Sequence, residues 1–272
     1  SIAHLLTPQA LHEAFRSLRK DAGAGVDAVT YRDYEKQANG NIEVLWEKLK
    51  SKQYRAQPLR RIYIPKEDGK LRAISIPSLE DKIVQKAMVR LLEAIWEVDF
   101  LACSYGSRPG RNPHQALDEI DRIIFRESIS HVLELDITSY FDAIVRKHLM
   151  EKVERRISDS SILRLLGKWI NVGVVDDGRL LISETGVGQG QVISPFLANI
   201  YLHHGAPGQT WCFQPPALRH DFMPGGVPDT HLDPLLTTHY LRENRSSPLT
   251  RVLSNSFGFG GTNCSLVFGV SG

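Results

Sequence analysis

The sequence predicts a mixed α/β fold of the α+β type over residues 1–204, followed by a loop-rich C-terminal stretch. Three observations predict it. Runs with helical spacing, such as Ile83, Val84, Ala87, Met88, Leu91, Leu92 and Ile95, are interspersed with short strand-like runs. Two pairs of those runs flank Asp-Gly, a dipeptide suited to tight hairpin turns (Asp68-Gly69 and Asp177-Gly178). The composition then changes: residues 205–272 hold no Lys but 7 of the 14 Pro and 9 of the 21 Gly, the makeup of turns and loops. With 42% apolar and 24% charged residues, the chain has the ordinary mix of a globular protein with a core. Its 272 residues suffice for one large or two modest domains.

The elements follow in order. Residues 7–20 and 41–53 read as helices. Leu59–Pro65 and Leu71–Pro77 read as strands of one hairpin around Glu67-Asp68-Gly69-Lys70. Ser78, with Asp81 three residues on, has the capping-box pattern that opens a helix. His114–Arg126 is helical, with Ala116, Leu117, Ile120 and Ile124 on one face. Val132–Asp136 reads as a buried strand. Helices follow at 146–157 and 161–170. Val172–Val175 and Leu180–Ser183 form a second hairpin through Asp177-Gly178. Ser194 as N-cap and Pro195 at the first helical position open a last helix. The boundary falls near residue 204, with 205–216 as an irregular junction and 217–272 as a separate fragment.

The formal net charge of +2 hides an uneven spread. Residues 48–90 hold 12 Lys or Arg against four acids, Glu67, Asp68, Glu80 and Asp81. Such an excess suits a polyanion such as a phosphate backbone, or a solvated basic face. Cys103, Cys212 and Cys264 have no paired spacing, which disfavours zinc and a disulfide framework and makes a reducing cytoplasm the expected compartment. No apolar run reaches membrane-spanning length. A start at Ser1 suggests a fragment or a trimmed product.

Chemistry concentrates in Leu133-Glu-Leu-Asp136-Ile-Thr-Ser-Tyr-Phe141-Asp142. An apolar run delivers Asp136 to the start of a loop, and Phe141 follows five residues later. A carboxylate there suits a divalent metal, or it caps a turn. Lys66 and Arg72 flank the tip of a basic hairpin, where a point charge and a bidentate fork can meet a triphosphate, or serve solubility. Arg108 and Arg111 lie in a Gly/Pro-rich loop before a helix, which suits phosphate contact or a rigid connector. Gly186-Val-Gly-Gln189-Gly-Gln191 is a Gly-rich turn feeding a helix, where glycines permit close backbone approach. Asp142 reads as a turn or capping residue.

In this order, these segments resemble the reverse transcriptases encoded by group II introns. The resemblance covers residues 1–204 and implies the fingers and partial palm of a right-hand polymerase. It implies RNA-directed DNA synthesis from a primer 3′-hydroxyl, with dNTPs, Mg²⁺, an RNA template and a DNA primer. It makes Asp136 a catalytic metal ligand. It assigns Lys66, Arg72, Phe141 and Gln189 to the dNTP, with Phe141 under the sugar or, on the residues alone, in the core. It assigns Arg108 and Arg111 to the template. Gln191 stands where the family usually has a second Gly. The family's second acidic motif, Tyr-x-Asp-Asp, does not occur in this chain. Asp176-Asp177 is no substitute, because it precedes the Gln189 turn.

Residues 217–226 and 254–268 resemble the C-terminal end of β-ketoacyl-[acyl carrier protein] synthases, which implies a fragment of a thiolase-type fold. The nucleophilic Cys segment of that family is absent, which argues against a condensing enzyme. Gly258, Gly260 and Gly261 read as a tight turn. The joint resemblance suggests an intron reading frame continued into a synthase exon, with little or no polymerase activity and a poorly packed tail.

Overall fold

The structure is a computed structural model that describes residues 2–65, 69, 71–126, 132–134, 139–203 and the strand segments 222–223, 245–246, 251–257 and 263–269. It divides into two compact units. One comprises Ser1–Asp99 with Thr138–Leu202, the other Phe100–Ile137 with His203–Gly272.

The first unit begins with a 3₁₀ turn (Ala3–Leu5) and helix α1 (Pro8–Arg16). Thr7 caps α1 by accepting from the Ala10 N–H at 3.2 Å, and Pro8 supplies a preset φ at its first position. Leu11, Ala14 and Phe15 form its buried face, with Phe15 stacked on Tyr31 at 4.3 Å. Tyr31 belongs to a short helix, α2 (Tyr31–Glu35), whose N-cap is Thr30; the hydrophobic spacing did not predict it. Helix α3 is Ala38–Lys50, three residues earlier at both ends than expected.

Strands β1 (Leu59–Pro65) and β2 (Leu71–Ile76) pair antiparallel from Arg60↔Ile76 to Pro65↔Leu71, the predicted hairpin. Helix α4 (Leu79–Trp96) follows and is the core of the unit. Ile83, Val84, Met88 and Leu92 are fully buried. Ser78 caps α4 as expected, its hydroxyl accepting from the Asp81 N–H at 3.3 Å.

In the second unit, helix α5 (Pro113–Arg126) precedes strand β3 (Val132–Glu134). The first unit resumes with a one-turn helix α6 (Tyr140–Ala143), then α7 (Arg146–Glu154) and α8 (Ser160–Ile170). Helix α7 ends three residues before the expected 157. Strands β4 (Val174–Asp176) and β5 (Arg179–Leu181) make the second predicted hairpin. Its turn residues have positive φ, 46° at Asp177 and 76° at Gly178, as a two-residue hairpin turn requires. The two hairpins join through parallel pairing of β1 with β4, giving a sheet of order β2-β1-β4-β5.

Helix α9 (Ser194–Leu202) buries Phe196, Leu197, Ala198 and Ile200, and Phe196 meets Trp96 edge to face at 5.9 Å. Ser194 lies inside the helix instead of capping it. Its hydroxyl donates to the Gly188 carbonyl at 2.9 Å, because the preceding turn folds back on the helix start.

The second unit also contains β6 (Phe222–Met223) paired with β7 (Arg245–Ser246), and β8 (Arg251–Phe257) paired antiparallel with β9 (Asn263–Gly269). Strand β8 pairs parallel with β3, from Val132↔Leu253 to Glu134↔Asn255. The Gly258–Gly261 turn and the 205–216 junction lie outside the described residues.

Candidate functional site

The sequence-predicted site residues divide by unit. Arg72, Phe141 and Gln189 lie in the first unit, Arg108 and Arg111 in the second. Asp136 and Lys66 lie outside the described residues.

The first unit draws three chain segments together through backbone hydrogen bonds. The Gly186 N–H donates to the Ile144 carbonyl at 2.8 Å, and the Val187 N–H to the Phe141 carbonyl at 2.9 Å. The Ser75 N–H of β2 donates to the Gln189 carbonyl at 2.7 Å. The Gly-rich turn thus bridges the α6 turn and the strand that carries Arg72. Phe141 and Gln189 are half-buried, so part of each side chain reaches solvent. Arg72 is also half-buried and pairs in register with Ile64.

Glycine is required at two positions of this turn. At Gly186, φ is +80°, and a Cβ would stand 2.9 Å from the Asp142 Cα and 3.0 Å from the Phe141 carbonyl oxygen. At Gly190, φ is +113°, and a Cβ would stand 2.6 Å from the Ser75 oxygen. Both combine a left-handed backbone with close approach to another segment, Gly186 to α6 and Gly190 to β2.

The Gln191 side chain points inward and packs against the turn, where a Cβ at Gly188 would stand 2.9 Å from its Nε2. The Gln85 amide donates to the Gln191 side-chain oxygen at 2.9 Å, and the Gln191 amide donates to the Trp169 carbonyl at 3.2 Å. Gln85 is fully buried. Nearby, Tyr54, Asp81 and Trp169 form a second buried cluster. The Tyr54 hydroxyl donates to Asp81 and accepts from the Trp169 indole N–H at 2.9 Å. Asp81 also accepts from the Gln57 N–H at 3.0 Å and the Ser78 hydroxyl at 2.8 Å. Burial raises the Asp81 pKa above the ordinary carboxylate value, only partly opposed by these hydrogen bonds.

Sequence reasoning missed Arg146. Its guanidinium donates to the Gly186 carbonyl at 2.8 Å, the Thr185 carbonyl at 3.1 Å and the Asn171 side chain at 3.3 Å. It clamps the Gly-rich turn from the side opposite Phe141's backbone contact. Its partners are mostly carbonyls, which carry no residue-type signal, so nothing in the sequence flagged it.

Asp176 accepts from the Tyr63 hydroxyl at 2.6 Å and lies 3.9 Å from Arg61, so it serves the β-sheet. In the second unit, Arg108 is buried and donates to the carbonyls of Leu101 and Ser104 at 2.6 and 2.7 Å. Arg111 donates to the Ala102 carbonyl at 3.0 Å and lies over the Tyr105 ring. Both brace their own loop. Among the described residues, no group of three or more His, Cys, Asp or Glu could hold a metal ion.

In the first unit the Gly-Gln-Gly turn bridges a basic hairpin and the aromatic-bearing turn of α6. Residues 64–207 match the model of the family described as reverse transcriptase (RNA-dependent DNA polymerase), and the chain belongs to that family. It is 41% identical over 202 residues to Protein YkfC of Escherichia coli (strain K12), covering 72% of this chain and 53% of that protein. It is 32% identical over 201 residues to the group II intron-encoded protein LtrA of Lactococcus lactis subsp. cremoris, covering 74% of this chain and 33% of that protein. The chain thus spans about half of one relative and a third of the other. A partial Cas6-RT-Cas1–Cas2 complex shares the fold, with a TM-score of 0.51 and 22% identity over 81% of this chain and 35% of that one. No helix among the described residues is long and apolar enough to cross a membrane.

Proposed function

We propose that residues 1–204 form the fingers and partial palm of a group II intron-type reverse transcriptase. The reaction of this reading is attack of a primer 3′-hydroxyl on the α-phosphate of a dNTP, directed by an RNA template, with pyrophosphate leaving. Lys66 and Arg72 hold the triphosphate. Phe141 packs under the sugar and rejects a 2′-hydroxyl, and Gln189 sits by the templating pair. Arg108 and Arg111 serve the template side, with Arg108 acting through the loop it braces. Mg²⁺ is the cofactor and Asp136 its assigned ligand. The compartment is the cytoplasm.

The supporting observation is the pair of backbone bonds from the Gly-rich turn, Val187 to Phe141 and Ser75 to Gln189. They join the chain at Phe141, at Gln189 and in the basic hairpin's second strand.

This chain contains no Tyr-x-Asp-Asp. One carboxylate does not hold two metals in the manner in-line phosphoryl transfer uses. The chain is therefore read as a truncated form that binds RNA and nucleotide without extending a primer. Residues 205–216 are a junction, and 217–272 a ketosynthase-like fragment of thiolase-type fold.

Primer extension on an RNA template with Mg²⁺ and dNTPs, beside Asp136→Ala, tests the reading. No extension by either chain, with retained RNA binding, is expected. Extension by the native chain that vanishes in Asp136→Ala would show that the metal site is complete and the chain active.

A further inference from the structure

Two stretches of the first unit carry cations and no acid at all. One is Lys48–Pro58, which holds Lys48, Lys50, Lys52 and Arg55. The other is Ser160–Gly173, which holds Arg164 and Lys168. The fold brings them together. The Tyr54 N–H donates to the Lys48 carbonyl at 2.8 Å, which turns the chain back at the end of α3. The Tyr54 carbonyl accepts from the Lys168 ammonium, and the Tyr54 hydroxyl accepts from Trp169. Arg55 therefore adjoins Lys168, and Arg164 lies one turn earlier on α8, on the same face.

Arg55 and Arg164 are exposed, as are Lys50 and Lys52. Among the described residues only Lys48 of this group forms an ion pair, with Glu80 at 3.2 Å. The Lys168 ammonium has its pKa lowered first by burial, then by the charges of Arg55 and Arg164. Cations in the last turn of α3 complement its dipole. That accounts for Lys48 and Lys50, not for Arg55 or Arg164. Like charges gathered without counter-charges cost free energy in the free protein, and a polyanion recovers it.

We propose that Lys50, Lys52, Arg55, Arg164 and Lys168 form a track for the phosphate backbone of RNA, separate from the residues assigned to the dNTP. The proposal rests on the reading that this chain handles RNA. Exposed cations on two elements suit successive phosphates along a strand, and such contacts position a nucleic acid without reading its sequence. An acidic protein is the competing occupant.

The test is equilibrium binding of a fluorescent RNA hairpin to the full chain over a range of salt. It compares the native chain with Arg55→Gln/Arg164→Gln and a control pair of equal charge loss, Arg32→Gln/Lys147→Gln, also at exposed positions. Each lost phosphate contact lowers the slope of log K against log salt by roughly 0.7–0.9. The expected result is a slope lower by about 1.4–1.8 for the first pair and unchanged for the control. Arg55→Lys/Arg164→Lys keeps the charge and retains the slope, which separates charge loss from misfolding. A DNA hairpin run in parallel, losing the same slope, supports backbone contact independent of the sugar. Equal loss in both Gln pairs, unchanged binding in the first, or loss in the Lys pair would overturn the proposal. Primer extension, whether seen or not, leaves this slope comparison unaffected, so the two readings fail separately.

Discussion

Gln189 and Gln191 stand two residues apart in one turn and end in opposite surroundings. Gln191 faces inward, where Gln85 and the Trp169 carbonyl satisfy its amide. Among the described residues Gln189 is held through its backbone carbonyl, and its side chain has no hydrogen-bond partner. The same contrast separates two regions of the first unit. The Tyr54–Asp81–Trp169 cluster uses its side chains to hold the fold and leaves nothing for a ligand. The Phe141–Gly186–Gln189 face is held by backbone bonds and by Arg146, so its own side chains remain available. A buried acid in the first region is therefore a structural part, whereas the half-buried Phe and Gln of the second are the ones to test for nucleotide.

The largest effect that could break this contrast is loss of Asp81. Asp81→Ala strands three donors, from Tyr54, Gln57 and Ser78. The Tyr54 and Ser78 hydroxyls are buried and the Gln57 N–H only partly so; each buried unsatisfied group costs about 1–3 kcal/mol, so a loss of at least about 2 kcal/mol is expected in urea unfolding. A loss within about 0.5 kcal/mol, as at ordinary surface positions, would remove Asp81 from the structural region. Gly190→Ala comes next. It places a Cβ against the Ser75 oxygen at a φ of +113°, and a cost of about 1–3 kcal/mol is expected. An unchanged urea midpoint would show that the turn relaxes freely.

A smaller effect is the pH dependence of Asp81. Its pKa in the folded chain is raised, so the folded state holds the proton more tightly than the unfolded chain does. The resulting stability is full below the ordinary carboxylate value and is lost as pH rises through the raised one. The urea midpoint of the native chain should therefore fall across that window relative to Asp81→Asn. Parallel profiles would mean that the Asp81 pKa is not raised by burial.

Much of the local structure was legible because local chemistry fixes it. Asp177-Gly178 names its own turn, Ser78 its cap, and the spacing from Ile83 to Leu92 its helix. Partners distant in sequence were not legible. The parallel pairing of β1 with β4 leaves no mark in either strand. Gln85 and Gln191 are 106 residues apart, and a polar pair inside a core carries no periodic signal. Asp81 read as half of a capping box, and its burial under Tyr54 came only with tertiary packing. Of the candidate site, Phe141, Gln189 and the strand of Arg72 are joined by backbone contacts. The clamp by Arg146 was invisible, because carbonyls have no residue type.

The most direct measurement is dNTP affinity for the chain with RNA template and DNA primer, compared between Gln189→Ala and Gln191→Ala, with urea midpoints for both. The account predicts that Gln189→Ala weakens dNTP binding several-fold at an unchanged midpoint. It predicts that Gln191→Ala lowers stability by about 1–3 kcal/mol, by stranding Gln85 and the Trp169 carbonyl, while the folded fraction binds as before. Native-like dNTP binding in Gln189→Ala, together with a lowered midpoint, would contradict the account.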